Sequence, residues 1–159
     1  MPQDDTQLEI SILSTTPTDT PTETRAASDI SLPLVLVAAG DADLRRYIMQ
    51  ALLEDTRPVR VLVASDGEAA VLAVQRRSPN LVICDMDIPR LGGLGVCAVL
   101  RSAEGVRGEI PILLITSEDL SHDGRSRAIR AGATALLASP FNARTLSTEV
   151  GRLLAMAIR

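Results

Sequence analysis

Five short apolar runs, each followed by a stretch of helical periodicity, constrain this chain more than any other feature. The first is Leu34-Val35-Leu36-Val37-Ala38. A run that is apolar at every position suits a strand covered on both faces, because a strand with one wet face alternates. Residues 41–55 follow, with Leu44, Ile48, Met49, Leu52 and Leu53 at helical spacing and Asp41 placed to cap them. Residues 59–64 read as a second strand, and Asp66 then caps a helix that ends before Pro79. Leu81-Val82-Ile83-Cys84 is the third strand and ends at Asp85; a loop with Pro89, Gly92 and Gly93 leads to a helix around 94–103. The fourth strand is 110–115, and the helix from His122 to Ala131 is closed by Gly132. Residues 134–138 make the fifth strand, Pro140 breaks the chain, and 143–158 is the last helix. This alternation with short connections predicts an α/β domain: a parallel sheet, helices on both faces, right-handed crossovers.

The pattern occupies residues 32–159, enough for one domain with a sizeable core. Residues 1–31 read as an acidic, Thr/Pro-rich disordered leader. Within it, Leu8-Glu9-Ile10-Ser11-Ile12-Leu13 alternates and could pair as an extra edge strand. The leader also skews the charge. Residues 1–30 hold six acids against Arg25, for −5, and the remaining 14 acids and 15 bases give +1. A near-neutral domain offers no case for nucleic-acid binding. Tyr47 and Phe141 are the whole aromatic inventory, so stacking platforms for single strands are absent as well. Cys84 and Cys97 lie in apolar segments without metal-ligand spacing and read as buried reduced thiols, which points to the cytoplasm. The acidic start argues against a signal peptide, and no uncharged apolar stretch is long enough for a bilayer.

In an open parallel sheet the working site lies beyond the carboxyl ends of the strands, where strand order reverses. Those ends supply Ala39-Gly40-Asp41, Asp85-Met86-Asp87, Thr116-Ser117 and Ser139-Pro140. A carboxylate where a buried strand emerges can attack phosphorus and form an aspartyl phosphate, or it can cap a loop. Position alone leaves both readings of Asp85 open. His122 is the only histidine, which excludes histidine catalysis and multi-histidine metal sites. The Ala39-Gly40-Asp41 turn lacks a Gly-rich nucleotide pattern. Arg125, Arg127 and Arg130 share one helix, either as a solvated face or as a docking surface.

Taken in order, the segment from Asp85 through Met86-Asp87-Ile88-Pro89-Arg90-Leu91-Gly92 to Gly93, then Ile115-Thr116-Ser117, Ala131-Gly132-Ala133 and Ser139-Pro140-Phe141, resembles the receiver domain of bacterial two-component response regulators. The likeness runs from 33 to 158 in order and spacing. It implies a flavodoxin-like, doubly wound five-stranded sheet of order 2-1-3-4-5. It also implies that Asp85 is the phosphoacceptor for a histidine kinase and that the Thr116 hydroxyl contacts the phosphoryl group. The implied signalling surface includes the helix between His122 and Arg130, facing a protein partner such as a histidine kinase or a downstream regulator.

The departures from the family are equally informative. The two acids that hold Mg²⁺ at the end of the first strand are here Ala39 and Gly40, and the lysine before the last proline is Ser139. The aromatic switch position on the fifth strand is Leu136, and the acid before Gly93 is Gly92. Every base in the chain is arginine, so no lysine can substitute. Phosphoryl transfer depends on positioning and charge neutralisation, and Mg²⁺ is held by carboxylates. Asp85, Asp87 and Asp41 are weak metal candidates. No cofactor is expected, with Mg²⁺ only if Asp85 is phosphorylated. A DNA-binding helix-turn-helix would need dozens of residues after 159. The expectation is thus a stand-alone, degenerate receiver that is not an enzyme and acts by protein–protein contact with poor or absent Mg²⁺-dependent phosphorylation. The alternative is a working phosphoacceptor at Asp85.

Overall fold

In a computed structural model, residues 9–12, 32–103, 108–117 and 121–157 are described, and the rest of the 1–31 leader lies outside them. The elements run β1 (Glu9–Ile12), β2 (Leu34–Ala38), α1 (Ala42–Glu54), β3 (Arg60–Ala64), α2 (Gly67–Arg77) and β4 (Leu81–Asp85). They continue with α3 (Gly92–Arg101), β5 (Ile112–Thr116), α4 (His122–Ala131), β6 (Ala135–Ala138) and α5 (Ala143–Ala157).

The sheet has the order β1-β3-β2-β4-β5-β6. From β2 onward every pairing is parallel, and the order is the expected 2-1-3-4-5. The sheet is one strand wider than the five expected of the domain. Glu9–Ile12, inside the segment read as a disordered leader, joins β3 antiparallel at the edge, in the extra-strand position that its alternation allowed.

Strand alternation divides the core into two layers. Leu36, Leu62, Val82, Cys84, Ile112 and Leu114 face α2, α3 and α4 through Ala70, Val74, Val96, Cys97, Leu100 and Ala128. Val35, Val37, Val61, Ile83, Leu113 and Ile115 face α1 and α5 through Ile48, Leu52, Leu146, Val150 and Leu153. With aromatic rings almost absent, both layers are filled by branched aliphatic side chains and alanine. The helices start where the sequence placed their caps. Asp41 accepts from the Asp43 N–H at 2.9 Å and Asp66 from the Ala69 N–H at 2.8 Å. Gly132 ends α4 at φ 114°, a left-handed conformation that favours glycine. Among the described residues no helix is long and apolar enough to cross a membrane.

Arg101, at the end of α3, clamps the far end of the sheet. Its guanidinium donates to the carbonyls of Gly108 (2.9 Å), Ile110 (2.7 Å) and Gly132 (2.9 Å) and to Thr134 Oγ1 (3.2 Å). Thr134 Oγ1 also accepts from the Ile112 N–H at 2.9 Å, so one planar cation ties α3 to the starts of β5 and β6. Arg101→Met keeps the aliphatic packing and leaves these acceptors without their donor. It is expected to cost about 3 kcal/mol in urea denaturation, with Arg101→Lys recovering only part.

Candidate functional site at the carboxyl ends of the strands

Register decides which strand ends meet. Asp85 pairs with Ile115, and the next residue, Met86, donates its N–H to the Ile115 carbonyl at 2.8 Å. Thr116 pairs with Ala138, and the Ser139 N–H donates to the Thr116 carbonyl at 2.7 Å. Asp85, Thr116 and Ser139 therefore end three successive strands on one edge of the sheet, as their shared position predicted. Thr116 is buried, while Asp85 and Ser139 are half-buried.

The loop after β4 is fixed at several points. Asp85 Oδ1 accepts from the Asp87 N–H at 3.3 Å, and the Asp85 carbonyl accepts from the Ile88 N–H at 3.1 Å. Gly93 donates to the Met86 carbonyl at 2.8 Å, and a Cβ on it would stand 2.7 Å from Met86 Cα. Glycine is thus what lets α3 begin against this turn. On the other side, the Gly67 N–H donates to the Pro89 carbonyl at 2.8 Å. Arg90, at φ 77°, pairs with Glu68 at 2.8 Å and lies 4.0 Å from Asp66. The left-handed backbone is unfavourable for arginine. Its guanidinium meets α2 there through a solvent-exposed ion pair.

Burial, first, pushes the Asp85 carboxyl above the ordinary aspartate range; the Asp87 N–H partly offsets this, and the carboxylates of Asp87 and Asp41 push it further up. Three acids thus share a field at the strand ends. The donor set does not fit Mg²⁺. The two positions where the resemblance implies acids carry no carboxylate, and among the described residues no group of three His, Cys, Asp or Glu side chains is arranged to hold a metal. The space is also taken. Ala39 is fully buried, and a Cβ on Gly40 would meet Pro89 Cδ at 2.6 Å and Cγ at 2.9 Å.

The residue that sequence reasoning missed is Arg45. Its guanidinium donates to the Ala39 carbonyl at 2.7 Å and to the Gly40 carbonyl at 3.4 Å, holding the end of β2 from the first turn of α1. The available signal was its place soon after the Asp41 cap, because helical side chains lean back toward the N-terminus. Both thiols are free and buried. Burial raises Cys84 far above the usual range, with Cys97 and Asp85 adding to it, and Cys97 is pushed up to about 11 by burial. His122 is exposed at the first turn of α4.

Because Asp85 binds its proton more tightly folded than unfolded, stability falls as pH rises from the ordinary aspartate pKa through the raised one. The ionised group then weakens the fold at neutral pH. Asp85→Asn keeps an acceptor for the Asp87 N–H and removes the charge. It is expected to raise Tm at neutral pH, with the gain shrinking toward about pH 4, where the native carboxyl is increasingly protonated. Thermal melts at fixed ionic strength check this, and a lower Tm at neutral pH would contradict it.

The known proteins similar to this chain agree with the geometry. The model for the response regulator receiver domain matches residues 35–151. A probable transcriptional regulator ycf27 of Porphyridium aerugineum is 32% identical over 117 residues, covering 73% of this chain and 45% of that protein. The alkaline phosphatase synthesis transcriptional regulatory protein PhoP of Bacillus subtilis is 32% identical over 94 residues, covering 59% of this chain and 38% of that protein. The chain spans about half the length of the curated relatives it matches, or less. Among solved structures, the chemotaxis response regulator CheY4 of Vibrio cholerae superposes with a TM-score of 0.69 at 26% identity, covering 77% of this chain and 99% of that one. A putative response regulator from Chloroflexus aurantiacus gives 0.71 at 25% identity, over 79% of this chain and 99% of that one. With the five-stranded order, Asp85 at the end of β4 and Thr116 beside it at the end of β5, this chain belongs to the response regulator receiver domain family.

Proposed function

We propose that this chain is an atypical receiver that regulates a protein partner by direct contact, with poor or absent Mg²⁺-dependent phosphorylation. The observation that carries the reading is the end of β2, where buried Ala39 and a Gly40 closed off by Pro89 replace the metal-holding acids. Ser139 adds no charge, Arg90 pairs with Glu68, and Arg45 donates to the Ala39 carbonyl. A phosphoryl group on Asp85 would enter a field already made negative by Asp41 and Asp87, without the neutralisation that phosphoryl transfer requires. Incubation with a small-molecule phosphodonor and Mg²⁺ is expected to leave the intact mass unchanged, and millimolar Mg²⁺ is expected to leave Tm unchanged. Gain of one phosphoryl group, lost in Asp85→Asn, would instead establish the working phosphoacceptor.

The contact surface we assign is α4. Among the described residues it carries Arg125, Arg127 and Arg130 against Asp123, and Ile129 is 52% exposed. His122, Arg125, Ser126, Ile129 and Arg130 line a shallow groove along it. An exposed isoleucine among arginines suits an acidic partner with an apolar anchor, since the charges steer the encounter and the apolar contact holds it. Arg125→Glu with Arg127→Glu is expected to weaken partner capture at low salt and flatten its salt dependence. Unchanged capture would move the surface elsewhere.

A further inference from the structure

The outer edge of β3 is an edge of the matched domain itself. The family match begins at residue 35, so β1 lies outside it. In the receivers of Vibrio cholerae and Chloroflexus, 77% and 79% of this chain account for 99% of the solved chain. The family match thus accounts for the five parallel strands, and β1 lies outside it.

Backbone directions along β3 say how the addition is held. The Arg60 N–H donates to the Pro33 carbonyl at 2.8 Å, and the Ala64 carbonyl accepts from the Ala39 N–H at 3.1 Å. Residues 60, 62 and 64 thus turn their backbone groups toward β2. By alternation, Val61 and Val63 turn theirs outward. In the antiparallel register, Ser11 stands opposite Val61 and Glu9 opposite Val63. Those are the hydrogen-bonded pairs, and Ile10 and Ile12 turn their N–H groups away from the sheet. Four residues pair, a length that is marginal without further support.

The tether is long. Residues 13–33 connect β1 to β2, 21 positions of chain. Their ends flank the start of β3, two strand spacings or about 10 Å apart. The connection could span roughly 70 Å if extended. A connection of this length would give β1 an effective concentration on the order of millimolar at its own edge, which a second molecule can rival. Unpaired N–H and C=O groups on an aliphatic edge strand are a template for another strand.

We propose that the outer edge of β3 is a strand-docking site, that β1 is its tethered and displaceable occupant, and that the same segment of a second copy of this chain can take its place. The proposal is independent of whether Asp85 is phosphorylated. The register supplies its own control. Ser11→Pro removes an N–H that points at β3, whereas Ile10→Pro removes one that points away.

The experiment uses the full chain and a labelled peptide with the sequence of residues 7–14. Hydrogen exchange should show the Val61 and Val63 amides protected in the unsubstituted chain and in Ile10→Pro, and exposed in Ser11→Pro. The Leu62 amide should stay protected throughout, which reports that the sheet is intact. The peptide should restore protection to Ser11→Pro and bind it at least about tenfold more tightly than it binds the unsubstituted chain, whose own strand competes. Near millimolar concentration the unsubstituted chain should form a dimer that Ser11→Pro abolishes. Equal peptide affinity for the two chains, no restored protection, equivalence of the two proline variants, or a chain monomeric at millimolar concentration would each overturn the proposal.

Discussion

Burial of β2, β4 and β5 on both faces is the constraint from which the rest follows. Their side chains are almost wholly excluded from water, so nothing polar can act along their length. Chemistry is confined to the point where each strand leaves the sheet. Asp85 is the first residue of β4 to regain partial exposure, and Thr116 is the one buried polar side chain of the described core. The register fixes their proximity. Met86 bonds back to β5 and Ser139 to the end of β5, so a one-residue slip would invert both core layers at once.

The loop from Asp85 to Gly93 then decides what the edge can hold. It is pinned to α2 through Gly67 and Glu68 and to the start of α3 through Gly93. Pinned there, Pro89 fills the space over Gly40 that a carboxylate side chain would need. Loss of the acids and the position of the loop are therefore coupled. An aspartate at 40 would require the proline ring to move, and an aspartate at 39 would be buried where ionisation is costly.

Much of this was legible in the sequence because the signals are local. Apolar runs gave the strands, Asp41 and Asp66 marked the caps, and the Asp85 to Gly93 segment with Thr116 and Pro140 indicated the family. What escaped depends on long-range geometry. The reach of Arg45 to the Ala39 carbonyl needs the helix orientation as well as its periodicity. Arg90 lies within the Asp85 to Gly93 segment, but its pairing with Glu68 goes with a left-handed backbone that no pattern announces. β1 was the weakest signal, since a short alternating run beyond a Thr/Pro tract does not specify a partner. The exposed edge of β3 supplies one.

On the proposed reading, any switching of this receiver would occur without a chemical trigger. Phosphorylation ordinarily biases two states by adding charge that one of them binds better. On the proposed reading, the site holds repelling carboxylates and cations that bond elsewhere, so that bias has to come from another source. A partner that binds one state more tightly supplies it in the same currency, limited by its difference in affinity for the two. The α4 face and the β3 edge lie toward opposite ends of the strand order. Strand exchange at one edge would therefore leave the other surface free, and one molecule could engage a second copy and a partner together.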